Sequence, residues 1–313
     1  RPQTVACHHR TRGGAEDGGE GPGAARVNYR HHFHAGNFAD VLKHVVLGAL
    51  LRALQSKPKG LLYLDTHAGR GFYDLTVAAT GDRLARQPEW PDGIGRLMER
   101  TDLPEAVAYY VAAVRESAVA GAPALSFYPG SPWFAQQLLR AQDRAVFAEL
   151  QPGEYAELLR RFDGIARTRP VFQDGYEAVR AHLPPPERRA LVLIDPPYEA
   201  GNELAAVVTA LEEGLARLPG GTFAVWYPLT TRARASSLLP RVERLGLPPT
   251  WVAELTVAGE NSPSPRMPGC GLLVVNPPWH LDREVAPAVT WLGDVLAQAP
   301  GGRGELRWIV PER

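Results

Sequence analysis

The sequence predicts an α/β fold, a mostly parallel sheet covered by helices on both faces. Two observations carry this. Short, fully apolar runs alternate along the chain with segments of helical period, the pattern of strands buried on both sides. Several of these runs close on an acid, as at Asp65, Glu149 and Asp195, where an open α/β sheet presents its ligand edge.

Residues 1–26 are rich in Gly, Ala and Arg, without hydrophobic period or aromatic residue, so we expect them to be disordered. The abrupt change at Val27, with no initiator Met before Arg1, suggests that natural translation starts near Val27. Helical spacing then runs through Val41, Leu42, Val45, Val46, Leu50 and Leu51, with Asn37 or Asp40 as cap. A strand at 61–64 ends on Asp65 and a turn containing Gly69 and Gly71. Residues 73–127 break the alternation and read as a helical insertion, with a helix from about 103 to 120 capped by Asp102 and stopped at Gly121. Ser131-Pro132 opens a helix to about 141. Strands follow at 145–150, 171–172, 191–194, 222–227, 251–257 and 271–275, with helices near 153–163, 175–182, 202–218, 231–245 and 284–298. The Pro/Ser loop at 259–270 implies that the last two of these strands form a hairpin, so the final one runs antiparallel.

Composition excludes several classes. Of 313 residues, 45% are hydrophobic and 22% charged, a soluble globular balance. No run approaches the roughly 18 apolar residues of a membrane span, and no signal peptide opens the chain. Only Cys7 and Cys270 occur, too few for a disulfide scaffold or a cysteine zinc site, so a cytoplasmic protein is expected. The 34 basic and 34 acidic residues cancel, so a nucleic-acid partner would need a local basic patch. His31, His32, His34 and His44 cluster but lack the spacing of a closed zinc set, and we expect no metal. Gly69-Arg70-Gly71 could begin a dinucleotide fingerprint, but Asp74 stands where the third glycine belongs, which argues against an NAD enzyme.

The residues beyond the strand ends carry the chemistry. Glu149 suits a ribose diol and Asp174, before Gly175, an adenine amine, although acids there are also common helix caps. Asp195-Pro196-Pro197-Tyr198 is sharper. Two prolines hold the Asp195 carboxylate and the Pro196 carbonyl on one side. Two adjacent acceptors suit an exocyclic amine, and Tyr198 offers a ring on which a base can stack. Asn276-Pro277-Pro278-Trp279 competes for that role, but its antiparallel strand ends on the wrong edge, so we read it as structural.

Asp-Pro-Pro-Tyr in this position resembles the motif of S-adenosylmethionine-dependent enzymes that methylate adenine N6. The segment from Tyr29 to His44, YRHHFHAGNFADVLKH, resembles the RlmJ family, as do Leu64-Asp65-Thr66-His67-Ala68-Gly69, Tyr128-Pro129-Gly130-Ser131-Pro132, Trp226-Tyr227-Pro228, Asn276-Pro277-Pro278-Trp279 and Trp308-Ile309-Val310-Pro311-Glu312. The resemblance spans about residues 27–312. It implies a Rossmann-like class I S-adenosylmethionine-dependent methyltransferase domain over 27–313, with the insertion at 73–127. It further implies methylation of adenine N6 in 23S ribosomal RNA, at the adenine conventionally numbered 2030. Cofactor contacts would come from Lys43, His44, His67, Gly69, Ser131, Glu149, Asp174 and Gly175. Asp195, Pro196 and Tyr198 would be catalytic, and Tyr29, Arg30 and Arg266 would meet the RNA. A monomer without an obligate protein partner is expected. The rivals are a DNA adenine methyltransferase with the same chemistry and a non-catalytic RNA-binding module of the same fold.

Overall fold

Ten strands and eight α-helices are seen in the computed structural model, which describes residues 33–76, 87–118, 125–199, 201–230, 238–259 and 267–312. Helix α1 (Phe38–Leu54) starts where Asn37 accepts from the Ala39 and Asp40 amides, so Asn37 and not Asp40 is its cap. Strands β1 (Leu62–Asp65), β4 (Arg144–Glu149), β5 (Thr168–Phe172), β6 (Ala190–Ile194) and β7 (Thr222–Leu229) are parallel, joined through α4 (Pro152–Phe162), α5 (Gly175–His182) and α6 (Glu203–Arg217). Helix α7 (Leu238–Glu243) leads to the antiparallel hairpin of β8 (Thr250–Thr256) and β9 (Gly269–Val275), and β9 lies between β7 and β8. Helix α8 (Asp282–Val295) returns the chain to an edge strand, β10 (Arg303–Val310).

The sheet order is β10-β8-β9-β7-β6-β1-β4-β5. Chain order reverses between β1 and β6, and a crevice for ligands opens at such a switch point. Alternation along the strands divides the core. Tyr63 packs with α1 on one face, whereas Leu62 and Leu64 pack with α5 and α6 on the other.

Strand β2 (Phe72–Asp74) pairs antiparallel with β3 (Phe127–Pro129), clamping the two ends of the segment between them. That segment carries two short 3₁₀ turns and α2 (Glu105–Glu116), whose Val107, Tyr110 and Val111 are fully buried.

Several boundaries differ from expectation. Helix α2 starts after Pro104, not at an Asp102 cap, because Asp102 is held in a two-pronged bond by Arg100. The helix opened by Pro132, α3 (Ser131–Leu138), is capped by Gly130 and stops short of 141. Its next residues turn away because Asp143 collects the Arg140 backbone and guanidinium. Strand β5 is longer than expected despite Pro170, since an edge strand tolerates a missing N–H. The helix expected at 231–245 is seen as α7, and residues 231–237 lie outside the described ones. So do residues 1–32 and 260–266, which include Tyr29, Arg30 and Arg266.

Candidate active site

The carboxyl ends of β1, β4, β5 and β6 gather the acids that the sequence singles out. At β4, each oxygen of Glu149 accepts one backbone amide, Oε2 from Gly69 at 2.8 Å and Oε1 from Gln151 at 2.7 Å. Burial raises the Glu149 pKa, and the amide bonds oppose that rise. Both oxygens keep further lone pairs for hydroxyl donors. Gly69 has φ +58°, and a Cβ there would lie 2.3 Å from the Tyr73 hydroxyl, so the turn admits no side chain.

Asp174 caps α5, with Oδ1 accepting from Tyr176 and Glu177. The capping role is therefore real, and it uses one of the two oxygens. A Cβ on Gly175 would lie 2.0 Å from the Thr66 carbonyl oxygen. Glycine here lets the start of α5 close directly onto the β1 turn.

At β1, Asp65 is fully buried. Its Oδ2 accepts from the Tyr63 hydroxyl at 2.9 Å and the Ser131 hydroxyl at 2.6 Å. Burial raises its pKa to about 6, against the pull of those two bonds. Next to it, the Thr66 hydroxyl donates to the Leu193 carbonyl and so receives its second bond from His67 Nδ1, at 2.8 Å. A hydroxyl has one proton, so Nδ1 is the protonated nitrogen of His67 and Nε2 the acceptor. Burial lowers the His67 pKa to about 4, keeping the ring neutral.

Asp195 follows β6. Its Oδ2 is 2.6 Å from Lys43 Nζ, which also contacts Asp40 Oδ1 at 2.8 Å, and the three side chains are 17%, 8% and 6% exposed. Burial alone would lower the Lys43 pKa, but Asp195 and Asp40 outweigh it and hold the ammonium charged. Asp40 is itself fixed by the Gly36 amide. Pro196 is buried beneath the turn. Tyr198 adopts a left-handed backbone, φ +53°, and its hydroxyl donates to the Trp226 carbonyl at 2.7 Å. Left-handed backbone in a bulky residue is costly and clusters at functional turns.

Lys43, expected beside the cofactor, thus sits on the acid expected to hold the base. His44, the next residue, is buried in an aromatic pocket, with Nδ1 2.8 Å from the Tyr128 hydroxyl and its ring against Phe134. Asp65 and Asp40 were not among the expected site residues. Asp65 ends an apolar strand in the same way as Glu149, so a signal for it was present. The placement of Asp40, one turn before Lys43 on α1, becomes meaningful only because Lys43 meets Asp195, 152 residues further along the chain. At the other edge, Asn276 Nδ2 donates to the Pro219 and Gly221 carbonyls, a structural role as expected.

The family model described as "Ribosomal RNA large subunit methyltransferase D, RlmJ" matches residues 58–310. The chain belongs to the RlmJ family. Relatives named Ribosomal RNA large subunit methyltransferase J are similar over 286 residues, 91% of this chain and 100% of each relative. The Haemophilus influenzae protein is 41% identical and the Escherichia coli protein 39%. The crystal structure of protein LPL1258 from Legionella pneumophila superposes with a TM-score of 0.78 at 34% identity, covering 90% of this chain and 99% of that one. RlmJ membership makes this a methyltransferase, and the sheet is that of a class I S-adenosylmethionine-dependent enzyme.

Proposed function

We propose that this RlmJ-family chain transfers a methyl group from S-adenosylmethionine to the N6 amine of an adenine in 23S ribosomal RNA, adenine 2030 by the family resemblance. The observation that carries this reading is the Asp195-Pro196-Pro197-Tyr198 turn at the switch point, with its half-buried acid paired to Lys43. The names of the relatives supply the substrate class.

The donor set fits the cofactor. Glu149, oriented by two amides, would take the ribose hydroxyls, and Asp174 the adenine amine. The Gly69 and Gly175 approaches leave no side chain in the way, while Asp65, His67 and Ser131 line the β1 turn between these acids and Asp195. When bound, the group supplies an electrophilic sulfonium methyl. The chain does the rest.

An adenine amine is a poor nucleophile because its lone pair is delocalised into the ring. The Asp195 carboxylate and the Pro196 carbonyl accept hydrogen bonds from its two N–H groups and favour a pyramidal nitrogen. Tyr198, fixed by its bond to Trp226, stacks against the base, which must leave its helix to arrive. In-line positioning then supplies most of the acceleration. Tyr29, Arg30 and Arg266 are assigned to the RNA, and the enzyme is read as a cytoplasmic monomer.

The test is tritiated-methyl transfer to protein-free 23S RNA, intact ribosomal subunits and duplex DNA. Label in either RNA sample, released as N6-methyladenosine on nuclease digestion, is expected. Label in DNA alone would substitute the rival DNA reading, and none in any sample would leave a binding module.

A further inference from the structure

The edge of the sheet opposite the candidate active site is strongly basic. Arg144 is the first residue of β4, Arg167 and Arg169 flank the start of β5, and Arg188 and Arg189 precede β6. The strand register sets them side by side, because the Ala145 amide bonds the Arg167 carbonyl and the Leu62 amide bonds the Arg189 carbonyl. Lys57 and Lys59, in the loop before β1, join the same edge. Their backbone carbonyls accept from Arg140, and Lys59 also accepts from Arg189.

The acids here are few, and of Asp143, Asp163 and Glu187 only exposed Asp163 is in no ion pair among the described residues. Asp143 is held by Arg140 and Glu187 by Arg144. Lys57, Lys59, Arg167, Arg169 and Arg188 are exposed, and none of them is in an ion pair among the described residues. The cations also act on a neighbouring titratable group. Burial lowers the pKa of half-buried His182, and Arg169 and Arg144 lower it further. Arg167 and Arg188 stand on left-handed backbone, φ +61° and +54°, where glycine or asparagine would be less strained.

A formally neutral chain has concentrated unpaired charge on one edge, mostly as arginine, whose planar fork suits phosphate oxygens. We propose that this edge is a second RNA-binding surface, which grips the phosphate backbone of the ribosomal RNA at a segment remote from the methylated nucleotide. It rests on the ribosomal RNA reading above. The six residues of β4 separate the two edges by about 20 Å at 3.3 Å per residue, so the RNA passes round the flank beyond β5.

The test measures binding of protein-free 23S RNA at several salt concentrations by wild type and by a Lys57→Gln, Lys59→Gln, Arg167→Asn, Arg169→Gln, Arg188→Asn variant. Asparagine is chosen where the backbone is left-handed. The slope of log affinity against log salt is expected to become shallower by about 4, at roughly 0.7–0.9 for each of five phosphate contacts. S-adenosylmethionine affinity and methylation of a short RNA that carries only the target stem should stay at wild-type level. A second variant, Arg167→Lys, Arg169→Lys, Arg188→Lys, preserves charge and should keep the wild-type slope, which separates charge loss from misfolding. An unaltered slope in the first variant, alongside active wild type, overturns the surface. A changed slope in an enzyme whose wild type labels no RNA would instead retain the surface and remove the methylation reading.

Discussion

Asp195 and Glu149 are two half-buried acids with opposite expected consequences. Asp195→Ala should lower methyl transfer by on the order of 100- to 1000-fold, the effect of losing a preorganised polar group, with cofactor affinity preserved. Glu149→Ala should weaken cofactor binding about ten- to a hundredfold, from the roughly 1.5–3 kcal/mol of a hydrogen bond to a charged group. Calorimetry with S-adenosylmethionine beside single-turnover rates separates the two, and a swapped result would exchange their roles. Asp65 and His67 make a second residue-scale pair. Asp65 has a folded pKa raised to about 6, so its stabilising contribution is full below about pH 4 and is lost as pH rises to 6. His67 is depressed to about 4, so its contribution is full above about pH 6.5 and is lost as pH falls. Between pH 6.5 and 4 the two oppose each other. Relative to wild type, Asp65→Asn should therefore lose melting temperature more steeply on acidification, and His67→Gln less steeply. Parallel curves for all three proteins would show that neither group titrates on unfolding. At this scale the acids and the Pro-Pro turn were legible, because each is a local pattern at a strand end. The Lys43–Asp195 pair was not, since no local pattern links α1 to the end of β6.

Among the elements, the contrast between two Pro-Pro turns is the most informative. Both follow apolar strands, yet β6 is parallel to β1 and β9 is antiparallel to β7, so their ends lie on opposite edges. The Pro/Ser loop before β9 was enough to foresee this. Asn276→Ala leaves the Pro219 and Gly221 carbonyls without their donor and should cost about 1–3 kcal/mol of stability. Its turnover per folded molecule should match wild type. Lost turnover with stability intact would move the base site to Asn276. The strands that escaped sequence reading are β2 and β3, each too short at three residues to show a period, and β10. The latter alternates Arg, Glu and Arg with apolar residues, as a half-exposed edge strand must, and so lacks the continuous apolar run by which the inner strands are recognised.

At the level of the whole molecule, fold class was readable because every inner strand carries the same signature. Strand order was less so, since the insertion of β9 between β7 and β8 depends on pairing that sequence does not display. β10 completes the sheet by covering β8, with Trp308 opposite fully buried Trp251. Ending the chain after Gly302 should expose that edge and produce concentration-dependent association in light scattering. A monodisperse truncated protein would show that β8 needs no cover.

One consequence of the Asp195 turn concerns which base it refuses. Lys43 already occupies one face of Oδ2, so what Asp195 and the Pro196 carbonyl still present is oxygen alone. A purine with an oxo group at position 6 would bring a third oxygen against these two and leave all three dehydrated. Sites built around specific donors and acceptors reject such mismatches by factors of about 10⁴–10⁵. On the proposed role of this turn, the discrimination would be made by repulsion, without any group devoted to recognising the wrong base. RNA carrying hypoxanthine at the target should bind through its backbone, yet its base should stay outside the pocket, whereas 2,6-diaminopurine should enter and be methylated. Fluorescence of 2-aminopurine placed beside the target would report the difference, and equal unstacking for both would show that oxygen is tolerated there.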